Sequence, residues 1–385
     1  MTIDSAKFRG IYSQLTDSFA EREGAIEAVL LALLSGQHAL LVGPPGTAKS
    51  ALFFAVLSHL TDARKFQTLV TKFSTEDEMF GPVKLSALKE DRWERALEGR
   101  LGAVECAFLD EVFKGSDSVL NTLLSAMNER LYKGAPIPLR YVVAASNELP
   151  EGESLAAIYD RFLLREEVAY IEGEDAWMSL MAGTPAYVPE ETISLADLAE
   201  AVRAVRAVSL PQSVIRGMLA VKKACAAAGI IASDRRWVSL TNVLRAAAWL
   251  AGRDEVELDD LRVLRFGLWN RPEERAQVIE ILKKVDQGPA ARAVAIIDVA
   301  LKQFNTRPSE PAARRAAAGA IATALQSATV QVDAIIAAGI SRSALQRIGR
   351  GREELVDAFQ VVTQETRAGF GGLSSLRARS TAGAS

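Results

Sequence analysis

The sequence predicts an α/β fold over its first half and all-helical structure over the rest. Three observations carry this. Short apolar runs of strand length recur as far as residue 171 with helical stretches between them, the alternation that builds a parallel sheet covered on both faces. A turn rich in glycine and proline, Gly43 to Ser50, joins the first of these runs to a helix. Beyond about residue 172 the strand signals stop and helical periodicity takes over.

Taken in order, residues 1–24 read as a helical lead-in, and MTIDSAKFRG lacks the basic start and apolar core of a secretory leader. Ala25 to Leu34 is an apolar run carrying Glu27 and stopping at Ser35-Gly36. It falls short of the roughly 20 residues that span a bilayer, so it reads as a core-facing helix beside a sheet. Ala39–Val42 is a buried strand, and Lys49–Leu60 the helix that follows the turn. Gln67–Lys72, Val104–Leu109, Arg140–Ala145 and Leu163–Ile171 are the further strand candidates, with a helix over Val119–Arg130. These make a domain of residues 1–172.

A short helix over Asp175–Ala182 and a loop at Val188-Pro189 open a second, all-α domain, 173–271. It is helical from Leu195 to Leu268 and punctuated by Pro211, Gly229 and Gly252. Residues 272–368 form a third, helical domain. In it Ala293, Ile296, Ile297, Ala300, Leu301 and Phe304 share one helix face, and Ile321, Leu325, Ala328, Val332 and Ile335 share another, across a loop at Asn305–Pro311. Stripes at this spacing are packing surfaces. Residues 369–385, rich in Gly, Ser, Ala and Arg, are expected to be a disordered tail.

Composition narrows the function classes. The 385 residues hold 45 Lys and Arg against 48 Asp and Glu, a net charge of −3, which argues against a dedicated nucleic-acid binder. Arg314-Arg315 and Arg342–Arg352 are locally basic but sit among helices, as a solvated face would. Two cysteines, Cys106 and Cys225, make no disulfide framework and suit a reducing cytoplasm. Two histidines, His38 and His59, speak against a multi-histidine metal site.

The chemistry concentrates in three segments. Gly43, Pro44, Pro45, Gly46, Thr47, Ala48, Lys49 and Ser50 follow a strand and open a helix, the setting of a phosphate-binding loop. Its backbone N–H groups and the helix N-terminus surround phosphates, Lys49 reaches the β- and γ-phosphates, and the Ser50 hydroxyl is offered to Mg²⁺. Ala48 stands where the consensus has glycine, and a right-handed helical conformation is expected of it. An apolar strand ends in Asp110 and Glu111. There Asp110 can hold the Mg²⁺ shell and Glu111 can orient or deprotonate the attacking water. Val142 to Ser146 ends in Asn147, placed to face the γ-phosphate and that water.

This set resembles the Walker A, Walker B and sensor 1 elements of AAA+ ATPases. Phe73-Ser-Thr-Glu-Asp-Glu-Met-Phe-Gly-Pro82, Leu109-Asp-Glu-Val112 and Leu123-Leu-Ser-Ala-Met-Asn-Glu-Arg130 look like the MoxR group. The Gly43–Ser50 loop and Ser233-Asp-Arg-Arg-Trp237 look like its RavA subgroup. The resemblance covers about residues 8–275. It implies a five-stranded parallel P-loop core, an all-α lid, ATP with Mg²⁺, and a ring, most commonly a hexamer. It also implies an arginine finger at Arg161 acting on the neighbouring subunit's nucleotide, and a sensor 2 at Arg235 or Arg236 touching the phosphates in cis. Arg130 is either a further trans-acting arginine or a helix-end cation. Gly81–Gly102, with Trp93 and Arg95, and the Tyr132–Pro138 hairpin correspond to insertions that engage clients, while Phe80 reads as a packing residue. The RavA subgroup carries a small β-rich insertion in its C-terminal region, of which no segment is visible here.

The implied function is a chaperone-like motor that remodels protein clients, working with a von Willebrand factor A (vWA) domain protein, in the cytoplasm and without membrane insertion. The alternatives are an ATP-gated scaffold with little turnover and a magnesium-chelatase-like or nucleic-acid motor.

Overall fold

The computed structural model describes residues 4–149, 153–183, 186–285, 289–337 and 342–366. They fall into two compact units, Met1–Lys283 and Lys284–Ser385; the expected tail, 369–385, lies wholly outside the described residues.

Among its described residues the first unit has seven strands: β1 (Ala39–Val42), β2 (Lys65–Leu69), β3 (Cys106–Asp110), β4 (Leu131–Tyr132), β5 (Ala135–Pro136), β6 (Tyr141–Ser146) and β7 (Leu164–Glu167). Five form one parallel sheet in the order β2-β3-β6-β1-β7, and β4 with β5 makes a separate antiparallel hairpin. Register across the sheet centre sets Leu41 level with Ala145 on one side and Glu166 on the other. β1, β3 and β6 are buried on both faces, which is why they read as continuous apolar runs rather than alternating ones. The expected outer strands need correction. β2 begins two residues earlier than the apolar run, at Lys65, because an edge strand tolerates exposed Lys65 and Gln67. β7 is four residues long, since beyond Glu167 the chain turns toward the phosphate loop.

The helices of this unit are α1 (Ser5–Ser18), α2 (Glu23–Ser35), α3 (Lys49–Ser58), α4 (Glu76–Phe80), α5 (Leu85–Leu88), α6 (Asp117–Glu129), α7 (Glu153–Tyr159), α8 (Glu174–Met181), α9 (Leu195–Ala207), α10 (Gln212–Ala227), α11 (Asp234–Leu250) and α12 (Pro272–Val285). α2 is buried along its whole length from Ala25 to Ser35, lying against β1 and β7 on one side and α9 and α11 on the other. Its buried Glu27 is satisfied by Arg262 at 2.6 Å and Arg265 at 2.8 Å. Ser194 caps α9 with a reciprocal Asp197 bond, and Ser233 caps α11 by accepting from the Arg236 amide at 3.2 Å. Leu258–Phe266, expected as α-helix, is wound as 3₁₀ turns.

In the second unit α13 (Pro289–Asn305), α14 (Pro311–Ala337) and α15 (Arg342–Thr366) pack on one another. The two apolar stripes meet here: Ala293, Ile297 and Ala300 of α13 and Leu325, Ala328 and Val332 of α14 are buried together with Leu355 and Phe359 of α15. Ala316–Ala337 is long and apolar enough, by length and composition, to cross a bilayer. Its Ala318, Ala322 and Leu325 face this core. No strand occurs among the described residues of this unit.

Candidate functional site

In a parallel sheet every strand delivers its last residue to the same edge, and ligands collect where the chain departs to opposite sides of the sheet. β1 sits at that point, between β6 and β7. The Gly43 amide donates to the Ser146 carbonyl at 3.0 Å, tying the loop to β6. A Cβ at Gly43 would lie 2.2 Å from the Val168 carbonyl oxygen, so only glycine lets the loop base pass this close to the chain leaving β7. Ala48 does not take the right-handed conformation expected of it: its φ is +65°, in the left-handed region. A side chain there costs about 1–2 kcal/mol, which is why the consensus residue is glycine.

Lys49 begins α3 and is buried; its ammonium donates to the carbonyls of Gly43 at 2.7 Å and Pro44 at 2.8 Å, and to Asn147 Oδ1 at 3.3 Å. Burial lowers its pKa, while Asp110 and Glu111 act in the opposite sense. Lys49, Asp110, Glu111 and Asn147 thus share one edge of the sheet. The Glu111 amide donates to Asp110 Oδ1 at 3.1 Å. Glu111 has φ +53°, which turns its buried side chain back toward Lys114, whose ammonium lies 3.3 Å from Oε2. Ser50 is half-buried on the first turn of α3.

The site therefore combines a cradle of backbone N–H groups, a buried cation, and hydroxyl and carboxylate oxygens. That set fits a nucleoside triphosphate, with Ser50 and Asp110 as hard-oxygen ligands for Mg²⁺. Two braces were not legible in the sequence. Arg22 Nε donates to the Thr47 carbonyl at 3.2 Å, and the Tyr170 hydroxyl donates to the Pro45 carbonyl at 3.3 Å. Both reach the loop from remote positions, and neither lies in a motif.

A second cluster occupies the opposite edge. A cavity of about 210 Å³ is lined by Arg130, Arg140, Arg161, Arg235 and Arg236, with Asp160 as its one carboxylate. Arg130 ends α6 at φ +55°, Arg140 precedes β6, Arg161 precedes β7, and Arg235 and Arg236 start α11. Arg236 is buried and spent: it donates to Asp160 Oδ1 at 2.5 Å and to Asn270 Oδ1 at 2.8 Å. Arg235 is exposed and meets Asn128 Oδ1 at 3.3 Å. Arg161 Nε and Nη1 are buried without a hydrogen-bond partner, since Asp160 is engaged by Arg236.

Below them Arg165, fully buried, donates to the carbonyls of Trp269, Phe162 and Tyr159 and stacks on the Tyr159 ring at 3.9 Å. Burial lowers its pKa to about 10. His38, also in the wall, accepts from the Val142 amide at 3.1 Å and lies 3.3 Å from the Met127 carbonyl; burial pushes its pKa down to about 4.

Contact of Arg235 or Arg236 with the phosphates in cis is not the arrangement found. Both stand beside Asp160 and Asn128 at the amino edge, and β1 alone separates the edges by about 13 Å at 3.3 Å per residue. The start of α11 packs on the turn before β7, and sequence reading cannot locate a lid helix relative to a sheet.

The insertion and the hairpin meet at Glu76. Its carboxylate takes Lys133 at 3.0 Å, the Tyr132 hydroxyl at 3.3 Å and Arg95 at 3.6 Å. Phe80, buried as expected, stacks on Tyr132 with centroids 4.1 Å apart. Phe73, Leu85 and Trp93 stay exposed nearby in sequence.

Comparison with known proteins agrees with the fold. Residues 6–204 match the family described as the MoxR domain in the MoxR-vWA-beta-propeller ternary systems, and residues 213–282 match an AAA lid domain. An uncharacterized protein of Methanocaldococcus jannaschii is 39% identical over 269 residues, 69% of this chain and 70% of the relative. A second from the same organism is 37% identical over 279 residues, 71% of this chain and 74% of the relative. A crystal structure from Cytophaga hutchinsonii, described as a candidate ATPase, superposes with a TM-score of 0.58 at 20% identity, covering 73% of this chain and 93% of that one.

Proposed function

The chain belongs to the MoxR family of AAA+ ATPases, and from that premise we propose that it is a ring-forming ATPase whose catalytic sites are completed between subunits, driving the remodelling of protein clients. One observation carries the reading: the phosphate loop with Glu111 lies on one edge of a single sheet, and Arg161, whose buried Nε and Nη1 have no partner among the described residues, lies on the other. No copy can bring its own finger to its own phosphates, whereas a head-to-tail neighbour can.

In this reading the loop amides and Lys49 hold the triphosphate, and Glu111 takes the proton of the attacking water, which Asn147 orients. Ser50 and Asp110 would hold Mg²⁺, which would neutralise charge on the phosphates. Arg161 of the neighbour meets the charge that develops in the transition state, and Arg235, exposed where Arg236 is buried against Asp160, is the second trans cation. Arg236 positions Asp160 and the turn that carries the finger. The insertion and hairpin joined through Glu76 offer clients an apolar surface with Trp93. The family description, in which MoxR domains occur with vWA and β-propeller proteins, supports a vWA-domain partner. Two buried, unpaired cysteines suit the cytoplasm.

The test is ATPase rate against protein concentration, with assembly followed by light scattering. Activity per chain should rise with assembly. Arg161→Ala should assemble yet lose roughly 10³-fold in rate, the scale of an arginine finger, and Glu111→Gln should bind ATP without turning it over. Normal hydrolysis by Arg161→Ala would refute the trans finger; assembly on ATP with Glu111-independent residual turnover would favour a gated scaffold.

A further inference from the structure

The chain leaving β7 carries an apolar helix none of whose side chains is buried among the described residues. Tyr170 braces the phosphate loop, Glu21 accepts from the amides of Glu172 and Gly173 at 2.9 Å and 2.7 Å, and α8 follows at once. Every side chain of α8 is at least partly exposed, and Trp177, Met178, Leu180 and Met181 are each about half exposed, at 53%, 56%, 47% and 58%. Four large apolar side chains on eight residues form a patch of the kind that marks an interaction site. Acidic Glu174 and Asp175 on its first turn repel an anionic lipid surface.

We propose that α8 is the seat of a second copy of this chain, taken up by the surface around the neighbour's arginine cavity. This rests on the reading of the site as completed in trans. The donor of the finger must approach a loop that Tyr170, four residues before α8, braces, which puts its surface next to the segment that leads into α8. That surface has the matching chemistry. Val238, one turn beyond Arg235 on α11, is 68% exposed, and Ile231 is 75% exposed; the Ile231 carbonyl takes the Asn270 amide that sits against Arg236. Exposed Arg130, Arg140 and Arg235 face outward there, opposite in sign to Glu172, Glu174 and Asp175. Apolar patches flanked by opposite charges, one at each edge, describe a head-to-tail contact rather than a symmetric one.

Two experiments on the full chain test this. Trp177→Ser with Met178→Ser should raise the concentration for half-maximal assembly and half-maximal ATPase by roughly tenfold or more, as the loss of an aromatic anchor does. Chains carrying Met178→Cys, mixed with chains carrying Val238→Cys, should be joined by a short bis-maleimide, while neither alone is; the native thiols are buried. Assembly at the wild-type concentration without a cross-link would overturn the proposal, whether α8 then stays bare or seats another protein. The reading of the site would survive that result if Arg161 dependence persisted. Cross-linking of Met178→Cys chains to each other would overturn it in favour of a symmetric contact. Failure of the wild type to assemble would overturn both.

Discussion

At the scale of single residues, the structure separates groups that neighbour each other in sequence. Arg235 and Arg236 look interchangeable as adjacent arginines in the sequence, yet one is exposed and the other is held by Asp160 and Asn270. Arg236→Ala is expected to cost about 2 kcal/mol of stability, the loss of hydrogen bonds to a charged group partly open to water, measured by denaturant unfolding. Arg235→Ala should leave stability within about 0.5 kcal/mol while lowering the ATPase rate of assembled protein. Ala48 offers the opposite experiment. Its left-handed backbone strains a side chain, so Ala48→Gly should stabilise the chain by about 1 kcal/mol net of the entropy glycine adds to the unfolded state. His38 titrates out of the fold. Its pKa falls from 6.5 to about 4, so the unfolded chain takes the proton first as pH drops. The stability His38 contributes is complete above pH 6.5 and is lost as pH falls toward 4, by up to about 3 kcal/mol at 1.36 kcal/mol per unit. His38→Asn should flatten the stability profile across that window.

At the scale of elements, what the sequence disclosed and what it withheld divide along the range of the interactions. β1, β3 and β6 were legible because burial on both faces makes their apolar runs unbroken, and the phosphate loop because its glycines answer local backbone demands. The edge strand β2 was misplaced by two residues, since its pairing to Cys106–Asp110 depends on a partner forty residues away rather than on its own apolar content. The braces from Arg22 and Tyr170, the Arg165 clamp on Trp269 and the amino-edge position of α11 are all contacts between remote segments with no local signature. The hairpin and the insertion, separate in sequence, are one platform because both spend their cations on Glu76. Glu76→Ala should release it: amide exchange over Leu131–Ile137 should accelerate at least tenfold, while exchange in β1 and β6 stays as in the wild type. Equal protection of the hairpin in that variant would show that the Phe80–Tyr132 stack alone holds the platform.

At the scale of the whole molecule, strand direction governs function more than any one side chain does. Parallel strands in the order β2-β3-β6-β1-β7 send the phosphate loop, Asp110, Glu111 and Asn147 to one edge and leave the arginines at the other. Complementation measures the consequence. Lys49→Ala chains and Arg161→Ala chains, each inactive alone, should regain activity when mixed in equal amounts, near a quarter of the wild-type rate. That is the share of head-to-tail junctions pairing an intact loop with an intact finger under random mixing. Silence of the mixture would mean that loop and finger serve the same chain. The separation of the edges also has an arithmetic of its own. An open row of copies always has a first loop with no finger before it and a last finger with no loop to serve. Each added copy dilutes that defect, and only closure abolishes it. Small assemblies of this chain are therefore the least efficient per copy, and ring closure registers as a step in specific activity even when every junction is identical.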